Sequence, residues 1–80
     1  MDRREIEEKV KKVLKERLKI ENVTEKSHFV DDLGMDSFNM VELLYEVEDK
    51  FEIEISEEGL RNINTVGEII DFIYNKISNK

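Results

Sequence analysis

The apolar residues of the first helical stretch fall at Ile6, Val10, Val13, Leu14 and Leu18. That i, i+4, i+7, i+8, i+12 spacing puts all five on one face of an α-helix. Asp2 stands just before the stripe with Glu5 three residues on, the spacing of an N-terminal cap and its partner. A polar stretch from about Glu21 to His28 breaks the periodicity and reads as a loop. Val23, Phe29, Val30 and Leu33 are expected to pin this connection to the core. Gly34 interrupts the pattern again, and Asp36 or Ser37 can cap a second helix running to about Phe51.

Phe51-Glu-Ile-Glu-Ile55 alternates apolar and polar residues, which alone suggests a strand. No second strand is available to pair with it, so an extended connection is expected. Residues 57–62 form a short helical piece, weakened by Gly59. Thr65-Val-Gly-Glu68 matches a capping box, and Val66, Ile69, Ile70, Ile73 and Ile77 give a last helix its buried stripe. The expected fold is all-α: a small antiparallel bundle of three main helices plus a short third helix, with a long first loop, in one domain spanning 1–80.

Projection of the second helix at about 100° per residue separates two faces. Met40, Leu43, Leu44, Val47 and Phe51 share the core side. Phe38, Val41 and Tyr45 form an opposite stripe, flanked by Glu42, Glu48 and Asp49. Sizeable apolar side chains turned away from the core and rimmed by like charge describe a partner-docking surface.

Charge sharpens this picture. The net charge is −7, against nucleic acid as a partner, because phosphate contacts need clustered Lys and Arg. Residues 1–30 carry nine basic and seven acidic side chains, and residues 59–80 three and two. Residues 31–58 carry eleven acids against one base, Lys50. So concentrated a block points to a basic partner protein or to cations. Glu48, Glu52 and Glu54 are oxygen-rich enough for weak Ca²⁺ or Mg²⁺ binding, although no ligand spacing defines a metal site.

The chain offers poor material for catalysis. It has no cysteine and one histidine, His28, which reads as a surface residue of the loop. There is no glycine-rich phosphate loop. No apolar run approaches the roughly 18 residues of a membrane span, and the N-terminus lacks a signal-peptide apolar region. A monomeric, soluble, cytoplasmic protein is the expectation.

Asp36-Ser37 read by itself is a helix cap. Its surroundings say more. Asp31-Asp32-Leu33-Gly34-Met35-Asp36-Ser37-Phe38 resembles the modification site of acyl carrier proteins, where the serine after Asp receives 4′-phosphopantetheine. Phe29-Val-Asp-Asp-Leu-Gly34, Val41-Glu-Leu-Leu, Phe51-Glu-Ile-Glu-Ile55 and Asn64-Thr-Val-Gly-Glu-Ile-Ile-Asp71 resemble further landmarks of that family in the same order. Phe38 stands where leucine is usual, and Ser56 where proline is common.

The resemblance implies a non-catalytic carrier that holds acyl intermediates as thioesters on an arm attached to Ser37. A separate synthase using Mg²⁺ would transfer phosphopantetheine from coenzyme A, and acyl-processing enzymes with basic docking surfaces would be the other partners. A thiol delivered on the arm fits a chain with no thiol of its own. Asp36, Phe38, Val41, Glu42, Tyr45, Glu48 and Asp49 would form the docking surface. Acyl cargo is expected between the second helix and the later ones, against Met40, Leu44, Val47, Leu60, Ile63 and Ile70. A dissociated fatty-acid pathway is the leading setting. A specialised polyketide, lipid-modifying or aminoacyl carrier, or an unmodified helical interaction module, are the alternatives.

Overall fold

The computed structural model describes residues 1–79. Four helices follow in order: α1 (Arg3–Leu18), α2 (Ser37–Phe51), α3 (Glu57–Arg61) and α4 (Val66–Ser78). No strand occurs among the described residues, and one isolated antiparallel bridge joins His28 to Thr65. The all-α bundle of three main helices plus a short one is therefore what forms.

Local chemistry starts and stops each helix. The Asp2 carboxylate accepts the Glu5 N–H at 2.9 Å, satisfying one of the orphan donors of a first turn. Lys19, in the left-handed region at φ 58°, ends α1, and the Ile20 N–H closes onto the Leu14 carbonyl at 3.0 Å. Thr65 and Glu68 form the expected capping box at the head of α4: the Thr65 hydroxyl accepts the Glu68 N–H, and the Glu68 carboxylate accepts the N–H groups of both Asn64 and Thr65.

The stripes read from the sequence meet in one core. Ile6, Val10, Val13 and Leu14 of α1 are buried with Leu43, Leu44, Val47 and Phe51 of α2 and with Val66, Ile69, Ile70 and Ile73 of α4. Helix α1 packs against both α2 and α4, so its apolar face is the seam of the bundle. Arg3 adds a tie across the seam's outer edge, pairing with Glu25 in the loop and with Asp71 on α4. These two partners, Glu25 foremost, hold its guanidinium pKa above the ordinary range.

The long first loop is fixed from two directions. Phe29 is buried and Val23 and Leu33 pack partly into the core, as expected, but Val30 is 54% exposed. The chain turns helically from His28 to Leu33 here, which points Val30, Asp31 and Asp32 together toward solvent. The Asp32 and Leu33 N–H groups both reach the His28 carbonyl, and Gly34 ends the turn at φ 67°, a conformation glycine adopts without steric cost. That reversal drives Met35 into the core, 2% exposed, a core position absent from the sequence reading. The other fixture is the head of α4. Gly67 allows close backbone approach: its N–H donates to the Glu25 carbonyl at 2.8 Å, and an added Cβ would stand 3.0 Å from that oxygen.

Phe51-Glu-Ile-Glu-Ile55 begins inside α2 and leaves it through Glu52, a left-handed cap at φ 54°. The segment then runs without regular structure, with Ile53 buried. The alternation thus belongs to an extended connection, as expected. No helix among the described residues is long and apolar enough to cross a membrane.

Candidate functional site

Ser37 is the first residue of α2 and is exposed. The cap beside it is Asp36: its Oδ1 accepts the Asn39 N–H at 2.8 Å, and the Asn39 side-chain oxygen accepts the Asp36 N–H at 3.2 Å. This reciprocal box uses the third N–H of the helix and leaves those of Ser37 and Phe38 without partners among the described residues. The first turn of α2 carries no acidic side chain after the cap. Ser37 Oγ is likewise unbonded among the described residues. An exposed hydroxyl beside open N–H groups at the positive end of a helix suits a residue that acquires a phosphate ester.

Beside Ser37 lies a groove of about 350 Å³. Ser37, Met40 and Val41 form one wall, Leu60 and Ile63 another, and the loop residues His28 and Val30 the third. Met40, Leu60 and Ile63 thus stand where the sequence placed the cargo's lining. Leu44, Val47 and Ile70 do not reach the groove. They are buried at 6%, 0% and 0% exposure in the core behind it, Leu44 and Val47 on the inner face of α2 and Ile70 on that of α4.

His28 is no plain surface residue. It is half-buried at the groove, and its Nδ1 accepts the N–H groups of Val30 and Asp31 at 3.2 and 3.1 Å. An accepting Nδ1 leaves the ring proton to Nε2. The Asp32 carboxylate accepts the His28 N–H at 2.7 Å, so imidazole and carboxylate together cap the 28–33 turn. A lone histidine in a polar loop gives no sequence signal of this, since the cap depends on the path of the backbone.

The outward stripe of α2 is as read: Phe38 is 75% exposed, Tyr45 68% and Val41 42%. Glu42 and Asp49 are exposed beside it. Two of the assigned docking acids have internal partners as well. Asp36 holds the cap, and half-buried Glu48 accepts the Ile55 N–H through Oε2 at 2.9 Å. Among the described residues no three carboxylate or histidine side chains converge to hold a metal ion, so Glu48, Glu52 and Glu54 are not gathered into a cation cluster.

Known proteins align with this arrangement over most of the chain. A family model described as a phosphopantetheine attachment site matches residues 6–73. The acyl carrier protein of Buchnera aphidicola subsp. Acyrthosiphon pisum (strain 5A) is 49% identical over 73 residues, 89% of this chain and 91% of that protein. The acyl carrier protein of Buchnera aphidicola subsp. Schizaphis graminum is 41% identical over the same length, 89% of this chain and 92% of that one. The solved structure of the Enterococcus faecalis acyl carrier protein superimposes with a TM-score of 0.79 at 38% identity, covering 95% of this chain and 99% of the other. On sequence and fold together, the chain belongs to the acyl carrier protein family and is a phosphopantetheine-dependent acyl carrier.

Proposed function

We propose that Ser37 is the residue that holds the arm and that the chain serves a dissociated fatty-acid pathway. The observation that carries the attachment reading is the exposed Ser37 hydroxyl at the open N-terminus of α2, at the mouth of an apolar groove. Ser37 Oγ accepts the phosphopantetheinyl group from coenzyme A, its proton passes to a base of the synthase, and adenosine 3′,5′-bisphosphate leaves. Asp36 is engaged with the Asn39 N–H, which supports an acceptor role for Ser37 with the base supplied from outside. When bound, the arm supplies the thiol that carries acyl groups as thioesters.

The pathway reading is supported by the hydrocarbon lining of the groove, Met40, Leu60 and Ile63, which favours aliphatic cargo. Phe38, Val41 and Tyr45 serve as apolar anchors for the synthase and acyl-processing enzymes. Asp36, Glu42, Glu48 and Asp49 attract basic surfaces on those enzymes. Exposed charges mainly speed association, and desolvated apolar contacts mainly slow dissociation.

Mass spectrometry tests the attachment. Incubation with coenzyme A and a carrier-protein synthase should add one phosphopantetheine to Ser37 and leave Ser27, Ser56 and Ser78 bare. Continued modification of Ser37→Ala would overturn the assignment.

A further inference from the structure

Loading changes the charge at the head of α2. A neutral hydroxyl becomes a phosphodiester anion, and its surroundings in the chain are already acidic. Asp36 is adjacent, and Asp31 and Asp32 lie in the loop leading to the site. The only base between residues 31 and 58 is Lys50, thirteen residues along α2 and so about 20 Å away along the helix axis. The N–H groups of Ser37 and Phe38 can meet one side of the anion, but they carry no full charge.

Across the groove stands Arg61, the last residue of α3. It is exposed and makes no ion pair or hydrogen bond with another described residue. The other three arginines have carboxylate partners: Arg3 with Glu25 and Asp71, Arg4 with Glu8, Arg17 with Glu46. We propose that Arg61 is the counter-ion for the phosphodiester formed on Ser37, reaching over the groove mouth to pair with it. The inference rests on Ser37 as the attachment residue.

Arginine suits this role. Its planar fork pairs two N–H groups with two phosphate oxygens, whereas a lysine offers a point charge. Its methylene stem can lie along the apolar wall formed by Leu60 and Ile63 while the guanidinium stays in solvent. Pairing also has a structural effect, since it ties the end of α3 to the start of α2 only after loading. The arm would therefore narrow the groove mouth through its own charge.

The test compares wild type, Arg61→Gln and Arg61→Lys, each as apo and arm-bearing protein, with loading at Ser37 confirmed by mass spectrometry. The readout is the arm-bearing minus apo difference in melting midpoint, which a purely structural role of Arg61 would leave unchanged. At about 0.01 M salt the difference should be about 2–6 °C more favourable in wild type than in Arg61→Gln, with Arg61→Lys between. At about 1 M salt, where screening reaches about 3 Å, the advantage should vanish. If a variant does not melt cooperatively, the ³¹P resonance of the loaded protein decides instead: it should move with salt in wild type and stay fixed in Arg61→Gln. Equal differences in all three proteins at low salt would overturn the role of Arg61 and leave Ser37 standing. Wild type that takes no arm at Ser37 would overturn the attachment reading, and this inference with it.

Discussion

The Glu48 carboxylate and the Ile55 backbone N–H meet at 2.9 Å, closing the corner where the chain leaves α2. One oxygen of this acid is therefore structural, although its position on the helix also fits the docking rim. Glu48→Gln keeps an acceptor and should leave the melting midpoint nearly unchanged. Glu48→Ala strands the N–H and should cost about 1 kcal/mol, about 4–8 °C for a chain of this size. Thermal melts of the two variants decide. Equal losses would mean that the contact contributes nothing.

The docking surface is best tested at Glu42 and Asp49, which have no such internal bond among the described residues. Reversal of either to lysine should slow modification by the synthase and flatten its dependence on salt. Val41→Ala and Tyr45→Ala should weaken the complexes with that salt dependence intact, and should shift stability by no more than about 0.5 kcal/mol. Stopped-flow loading assays over a salt series check the first pair, and melts check the second. A large stability loss in Tyr45→Ala would contradict its exposure.

Acyl length gives a third prediction. Each methylene moved from water into the groove beside Met40, Leu60 and Ile63 should add roughly 0.8 kcal/mol, so the midpoint should climb with chain length and then level off. Leu60→Phe occupies part of the same space and should bring the plateau at a shorter chain. Acyl forms of four and ten carbons that melt alike would show that the cargo stays outside.

The 28–33 turn depends on an imidazole that accepts two N–H bonds. His28→Ala should cost about 1 kcal/mol, as loss of a helix cap does, and His28→Asn should recover much of it because a short polar side chain can accept the same donors. Chemical denaturation with unchanged slope measures both.

The turn also shows where the sequence stops speaking. Helix faces were legible because their period is fixed by backbone geometry, and Thr65 and Glu68 were legible because a box has a fixed spacing. Ser37 stood out through an ordered set of motifs. Val30, Met35 and His28 were not legible in this way: three residues near one left-handed glycine take their inside or outside places from a turn that no periodicity describes. Arg61 escaped notice for another reason. Its relation to Ser37 spans twenty-four residues and exists only because α3 folds back over the groove.

The bonds around the head of α4 divide the groove unequally. Phe29 donates to the Asn64 carbonyl at 2.9 Å, Val66 to Ser27 at 3.0 Å and Gly67 to Glu25 at 2.8 Å. Loop and helix head are thereby laced into one plate, which carries His28 and Val30 on one margin and Asn64 on the other. The wall made by α3 is five residues long, and among the described residues its backbone hydrogen bonds stay within residues 56–63, while the Phe72 ring of α4 lies against Gly59. A space that must widen for cargo will yield along its weakest side, so α3 is the door and the laced plate its frame. The serine is mounted on neither, but on the long helix whose buried face anchors the core, and its position can stay constant while the door swings.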